Sequence, residues 1–251
     1  IGSCYEIMME CKIMGSNENY ELISRKDRRS SGIHHTPFDL TNHMCNLAIE
    51  KSNYSGDKES DILAIDIAHG AGAFTLQMAR KISNLGRINI QEVLTKYILG
   101  FDIDGEVLSV ASFCFHIEAD FPKLPLKYNL FKLDSLDGKK SRKTILKKAR
   151  IMVNYESTKF IFIGNPPYVE VKLDNYVAMN FETLKCRNLS AYFLEQVLKI
   201  LPENSIISQV VPLSLIHSKR MKSVRQLIIN KSKAIRVESF DCVPGYMFDQ
   251  G

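Results

Sequence analysis

Apolar strand-like runs alternate with helical patterns along most of the chain, and this alternation constrains the fold more than any other feature. The runs are "DILAID" (61–66), "YILGFDI" (97–103), "LKYNLFKL" (126–133), "KFIFIG" (159–164), "SIISQVV" (205–211) and "AIRVESF" (234–240). Between and around them, apolar spacings of three and four predict helices at about 37–50, 73–83, 105–118, 142–150, 190–201 and 218–230. Such alternation predicts βαβ units, hence an α/β fold with a mostly parallel twisted sheet covered by helices on both faces. Residues 1–30 are polar and mixed, and are expected to form an N-terminal extension, a tail or a short helical segment. Residues 169–188 lack clean periodicity and are expected to form a long loop, the kind of segment that serves a site.

A chain of 251 residues can bury a single large core. No apolar run approaches the roughly 18 residues of a membrane span, and no signal peptide opens the chain. The six cysteines are scattered without a Cys-x-x-Cys pair, which argues against a structural zinc site and for a reducing, cytoplasmic setting. The net charge of +5 is a mild indication of a polyanionic partner. The chain begins at Ile1 rather than at Met, as a fragment or a processed chain would.

In open α/β sheets, ligands bind outside the carboxyl ends of the strands. After the first run comes "DIAHGAGAF" (66–74), where Gly70 and Gly72 allow a tight turn and a close backbone approach before a helix. The second run ends in "GFDIDGE" (100–106), the third in "LDSL" (133–136), and the fourth in "GNPPYV" (164–169). Four consecutive tips carrying a glycine or a polar group describe one extended crevice. The fourth is the least ordinary. Two prolines lack an N–H and fix φ, so they cannot belong to a regular ladder and instead hold Asn165 and Tyr168 still.

Taken together these segments resemble the S-adenosylmethionine-dependent DNA adenine-N6 methyltransferases of restriction–modification systems, in the subgroup whose cofactor motifs precede the catalytic one. The resemblance covers roughly residues 32 to 251. It runs through "GIHHTPFDLTNHM" (32–44), "DIAHGAGAF", "GFDID", "LDSL", "GNPPYV", "LSAYFLEQVLKIL", "SQVVPLSLI" and "IRVESFDCVPGYMFDQG". There are departures: Ile67 replaces the family's proline, His69 its cysteine, Ala71 often a serine, and His35 a tyrosine. Lys159 stands where an Asp is common.

The resemblance implies a Rossmann-like class I methyltransferase fold, with residues 31–251 as the catalytic domain. The last sheet strand and a target-recognition domain would follow Gly251. It implies S-adenosylmethionine as cofactor and double-stranded DNA as partner, with a linked or separate recognition domain and restriction nuclease and no membrane. Thr36, Pro37, Asp66, Ala68, Gly70, Gly72, Asp102, Ile103, Asp134 and Ser135 would bind the cofactor. Asp102 would take the ribose hydroxyls, with Asp104 as the alternative or as a plain helix cap. Asp134 would take the cofactor's adenine amine, or be a turn residue.

Asn165, Pro166 and Tyr168 would be catalytic. The adenine amine is a poor nucleophile because its lone pair is delocalised into the ring. The Asn165 side-chain carbonyl and the Pro166 backbone carbonyl can accept its two N–H bonds as that nitrogen turns tetrahedral. Tyr168 would stack on the flipped base, worth about 1–3 kcal/mol against the cost of unstacking.

Other readings stay open. An amino-group methyltransferase acting on a protein glutamine or an RNA guanine shares the Asn-Pro-Pro-Tyr turn, but usually lacks a helix opening with Gly32, Thr36 and Pro37 just upstream. A non-catalytic module that only holds DNA is favoured by the changes at 67, 69 and 71. No metal site is expected at His34, His35 and His69, since adjacent histidines diverge and no carboxylate has ligand spacing to them. Two stretches, 139–150 and 217–236, each carry seven Lys or Arg and no acid. They are either solvated helix faces or sequence-blind phosphate contacts.

Overall fold

Three buried strands, β3 (Ile62–Asp66), β4 (Ile98–Asp102) and β6 (Lys159–Gly164), form the centre of a parallel sheet. The computed structural model describes residues 11–16, 19–24, 36–56, 62–124, 126–172, 179–203 and 205–240. Shorter edge strands, β5 (Leu130–Lys132) and β7 (Ile206–Gln209), complete the order β5-β4-β3-β6-β7, with every pairing parallel. The central strands are apolar nearly throughout because both faces are covered.

Alternation within each strand divides the core. Ile62, Ala64, Ile98, Ile161 and Ile163 face one helical layer: α1 (Phe38–Ser52), α2 (Ala73–Gly86), α3 (Ile90–Lys96) and α4 (Gly105–Glu118). Leu63, Ile65, Leu99, Phe101, Phe160 and Phe162 face the other. That layer holds α5 (Gly138–Met152), α6 (Leu189–Ile200), a short α7 (Ser214–His217) and α8 (Lys222–Lys231). Cutting Phe162 to Ala in such a setting costs about 3–5 kcal/mol.

The chain builds outward from β3 to β4 and β5, then returns to place β6 on the other side of β3. The switch point therefore lies between the carboxyl ends of β3 and β6, where open sheets of this kind bind ligands.

Several elements differ from the sequence expectation. Within residues 11–24 the structure places an antiparallel pair, β1 (Cys11–Ser16) with β2 (Asn19–Ser24), instead of a tail or helix. Helix α3 is additional, begun by Asn89, whose side chain accepts the Gln91 N–H at 2.8 Å. The expected strand at 234–240 pairs with no strand among the described residues, and Ile235, Val237 and Phe240 stand 51, 60 and 44% exposed. An apolar run becomes a strand only where a sheet edge receives it. Residues 169–188 form the expected long connection where described, pinned by a bridge between Glu170 and Asn188 and a 3₁₀ turn at Leu184–Cys186. No described helix is long and apolar enough to cross a membrane.

Candidate functional site

At the end of β3, Asp66 is only 4% exposed and its Oδ1 accepts the Ala68 N–H at 2.9 Å. Burial pushes its carboxyl from an ordinary 3.8 up to about 7; the Ala68 bond opposes the shift and the nearby Asp102 charge adds to it. Gly164, the last residue of β6, makes room for this carboxylate, since a Cβ there would lie 2.6 Å from Asp66 Oδ1. The two strand ends are thus in direct contact at the switch point.

The glycine turn is closed by His69. Its ring is buried, lies edge-on to Phe115 at 5.9 Å, and fills space left by Gly100 and Gly72. A Cβ on Gly100 would meet His69 Cδ2 at 2.3 Å. Burial lowers the imidazole to about 4, with the Gly70 bond opposing, so the ring is neutral near pH 7. One neutral tautomer satisfies both neighbours, with Nδ1–H donating to Gly70 O at 3.1 Å and Nε2 accepting the Thr75 hydroxyl at 2.8 Å. Gly70 and Gly72 have φ of +52° and +86°, a region that favours glycine, and Gly72 opens α2.

Asp102 ends β4. Its Oδ2 accepts the Gly70 N–H at 2.8 Å and its Oδ1 the Asp104 N–H at 2.9 Å, so it ties the β3 turn to the β4 end. Burial raises its carboxyl above the ordinary value, against the opposing Asp104 and Gly70 amide bonds. Asp104 is the N-cap of α4, accepting from Glu106 and Val107. Ile103, between them, is 63% exposed.

After β5, Asp134 is exposed and its Oδ1 accepts the Leu136 N–H at 2.9 Å. Ser135 is 3% exposed, and its Oγ has no hydrogen-bond partner among the described residues.

The β6 end is held by side chains from distant segments. Asn165 Nδ2 donates to Thr36 Oγ1 at 2.9 Å, and the Tyr168 hydroxyl donates to Asn165 Oδ1. These two bonds fix which way the Asn165 amide faces. Thr36 is buried, and the Pro37 carbonyl starts α1 by accepting from the Thr41 N–H and hydroxyl. Pro166 is buried, and Asn188 Nδ2 holds the Tyr168 carbonyl at 3.1 Å. Burial raises the Tyr168 phenol above its ordinary value, so it carries its proton near neutrality.

One connected group thus joins Thr36, Asn165 and Tyr168, and Gly164 links it to Asp66. Gly70 and Asp102 form a second group with His69. Asp134 and Ser135 share no hydrogen bond with either. Gly32, His34 and His35 lie outside the described residues. Among the described residues no three His, Cys, Asp or Glu side chains are placed to hold a metal.

Sequence reasoning passed over Gly100, Gly164, Thr75 and Asn188. A glycine inside a buried strand run signals the close approach of another group, which is the role of the first two. Asn188 shows itself as the cap of α6, accepting the Ser190 N–H. Glu195 carries no such signal. It is fully buried on α6 and accepts N–H bonds from Glu182 and Thr183 at 2.9 and 2.7 Å, fastening the 179–186 segment.

No curated protein matches the chain. Among solved structures, a DrdV–DNA complex aligns with TM-score 0.61 and 16% identity, covering 82% of this chain and 23% of that one. A nuclease-deletion mutant of the type ISP restriction–modification enzyme LlaGI, in complex with a DNA substrate mimic, gives 0.59 and 15%, covering 79 and 22%. A type I restriction–modification methyltransferase subunit from Streptococcus thermophilus gives 0.52 and 17%, covering 80 and 40%. The chain therefore spans less than a quarter of the length of the first two. These likenesses give the fold, the Rossmann-like one of class I methyltransferases. The profile of the Eco57I restriction-modification methylases matches residues 96–243, more than half of the sequence and the part that holds the β4, β5 and β6 ends. The chain belongs to the Eco57I restriction-modification methylase family.

Proposed function

We propose that residues 31–251 are a catalytic domain that transfers a methyl group from S-adenosylmethionine to the exocyclic N6 of a flipped adenine in DNA, within a modification or restriction–modification system. The observation that carries this reading is the amide of Asn165, held between Thr36 and Tyr168 on a proline-fixed turn at the switch point. The family and the DNA bound in the DrdV and LlaGI structures support DNA as the substrate.

The residues present fit the cofactor. The Ser135 hydroxyl is an orphaned buried polar group, the Asp102 carboxylate is an acceptor at the second strand end, and Gly70 leaves the turn open, since a Cβ there would meet nothing within 4 Å. Thr36, Pro37, Asp66, Ala68, Gly70, Gly72, Asp102, Ile103, Asp134 and Ser135 would hold it. When bound, S-adenosylmethionine supplies a methyl group made electrophilic by a positive sulfonium.

The chain's own part is to position and to accept hydrogen bonds. Asn165 Oδ1 and the Pro166 carbonyl take the two N–H bonds of the amine, which draws its lone pair out of the ring and toward the methyl group. The Tyr168 hydroxyl occupies the donor position on Oδ1 that the substrate amine would take, so base binding exchanges one donor for another. The Tyr168 ring stacks on the base. The bound cofactor would supply the methyl group and leave as a neutral thioether, and the proton that N6 gives up would pass along the Asn165 Oδ1 or Pro166 carbonyl hydrogen bond to water.

The test is to incubate DNA with the protein and S-adenosylmethionine, digest it, and measure N6-methyladenine by mass spectrometry. Its appearance supports the reading; methyl groups only on protein glutamine or RNA guanine would replace it. No methyl transfer, together with no S-adenosylmethionine binding by calorimetry, would leave a non-catalytic module.

A further inference from the structure

Two basic stretches some 70 residues apart in sequence come to lie on the same face of the sheet. Helices α5 and α8 both pack in the layer over Phe160 and Phe162, flanking α6, whose own side chains are almost all buried. Together α5 and α8 carry ten Lys and Arg and no Asp or Glu, whereas α1 to α4 carry four against five acids. The charge excess is a property of one layer.

Some of these cations have internal roles. Lys140 pairs with Asp137, Lys148 sits 3.8 Å over the Phe131 ring, Arg150 lies over Tyr155, and Arg225 donates to two carbonyls. Lys139, Lys143 and Lys147 are exposed, and among the described residues none has an acidic partner; the same holds for Lys222 on α8. The three α5 lysines recur every fourth residue, about 6 Å apart along one stripe of the helix. Beside them is a depression of about 330 Å³ lined by Lys143, Leu146, Lys147, Arg150 and Ile151, with Ile151 72% exposed.

We infer that this face is a second, sequence-independent seat for the phosphate backbone of duplex DNA, one that holds DNA flanking the target. The inference rests on the DNA reading above. Helix α5 leaves the carboxyl-end, crevice side of the sheet at Gly138, after β5, and leads back to the amino end where β6 begins, so a duplex on its stripe extends away from the reacting base. An unbroken row of flexible lysines matches a uniform polyanion and reads no base. An acidic protein surface is the competing occupant; it would more often be met by Arg, whose planar guanidinium pairs a carboxylate two-pronged, whereas the exposed residues of this stripe are all Lys.

The test compares the parent chain with the triple variant Lys139→Glu, Lys143→Glu, Lys147→Glu, and with the corresponding triple Gln variant. Binding to two duplexes of unrelated sequence is measured by fluorescence anisotropy over a salt series. Both variants should lose affinity equally for the two duplexes, and the triple Gln variant's log–log salt slope should be shallower by about 2–3. S-adenosylmethionine affinity and thermal midpoint should match the parent. Unchanged affinity and slope would overturn the inference, as would competition for the face by polyglutamate but not by DNA. A parent that methylates DNA with the variants' salt slope removes only the second seat; one that binds DNA with the steeper slope yet transfers no methyl group removes only the catalytic reading.

Discussion

The turn after β3 and the turn after β6 touch at the switch point but are stiffened by opposite means. The β3 turn is built from the inside. Asp66 and Asp102 spend carboxylate oxygens on backbone N–H groups, and a neutral His69 is wedged into gaps left by two glycines. The β6 turn has its backbone set by two prolines, and its polar groups are held by side chains, Thr36 on one side of Asn165 and Tyr168 on the other. A buried backbone network cannot change partner without unfolding the turn. A pair of side-chain hydrogen bonds can. The first arrangement suits a fixed cradle, and the second suits a group that must hand its acceptor to a substrate.

The contrast is tested most severely by Asn165→Ala. Loss of a preorganised acceptor costs about 10²–10³ in rate, or roughly 3–4 kcal/mol. Single-turnover methyl transfer should fall by that factor, while S-adenosylmethionine affinity, set by the other strand ends, stays near the parent value. Wild-type transfer by this variant would make the β6 turn a rigid loop and nothing more.

Gly100→Ala attacks the other side of the comparison. Its Cβ would sit 2.3 Å from His69 Cδ2 and 2.7 Å from Leu130 Cδ2, inside a packed sheet. Overpacking of this kind costs about 1–3 kcal/mol. Denaturant unfolding should show that loss, and adding His69→Ala should recover part of it, making the double variant less damaged than the sum. Strict additivity would show that His69 does not pin the turn.

Titration separates the two buried groups of the β3 turn. Asp66 prefers its proton in the fold, at about 7 against 3.8, so its contribution to stability is lost as pH rises through 7. His69 is depressed from 6.5 to about 4, so its contribution is present above 6.5 and lost as pH falls toward 4. Between about pH 4 and 6.5 the two slopes oppose, each approaching about 1.4 kcal/mol per pH unit. Asp66→Asn should therefore gain stability relative to the parent as pH rises, and His69→Gln should gain relative to it as pH falls. Urea unfolding at pH 4.5, 5.5 and 6.5 measures both; parallel curves for parent and variants would mean neither group is as buried as the fold places it.

Much of this arrangement is legible in the sequence, and the exceptions share a cause. β3, β4 and β6 read as strands because a strand buried on both faces is apolar throughout, and Asn-Pro-Pro-Tyr reads as a fixed turn because proline removes the alternatives. The run at 234–240 reads equally well as a strand, but pairing depends on a neighbour that no local pattern encodes. Helix α3 is too short for its period to register. Asp102 reads as an acceptor at a strand end; that it also anchors Gly70 depends on two strands lying side by side. Thr36 and Asn165 are 129 residues apart, and only the packing of α1 against the sheet end brings them together.

The smallest expected effect is at that last contact. Thr36 Oγ1 accepts from Asn165 Nδ2, which leaves Oδ1 directed to the donor side where Tyr168 now sits. Thr36→Val keeps the shape of the side chain but removes the acceptor, so the amide loses one of the bonds that fix its orientation. A typical hydrogen bond is worth about 0.5–1.5 kcal/mol net, or about a 2- to 12-fold change in rate. Methyl transfer should slow by that modest factor, and Thr36→Ser should restore it because the hydroxyl returns. Tyr168→Phe, by contrast, should keep most activity, since the ring face stacks and the hydroxyl only holds the place of the substrate amine. Thr36 also stands among the cofactor's contacts, so the rate is read at saturating cofactor: should Thr36→Val weaken S-adenosylmethionine binding while single-turnover transfer at saturation is unchanged, Thr36 would serve the fixed cradle alone, and the division between the two turns would have to be redrawn around it.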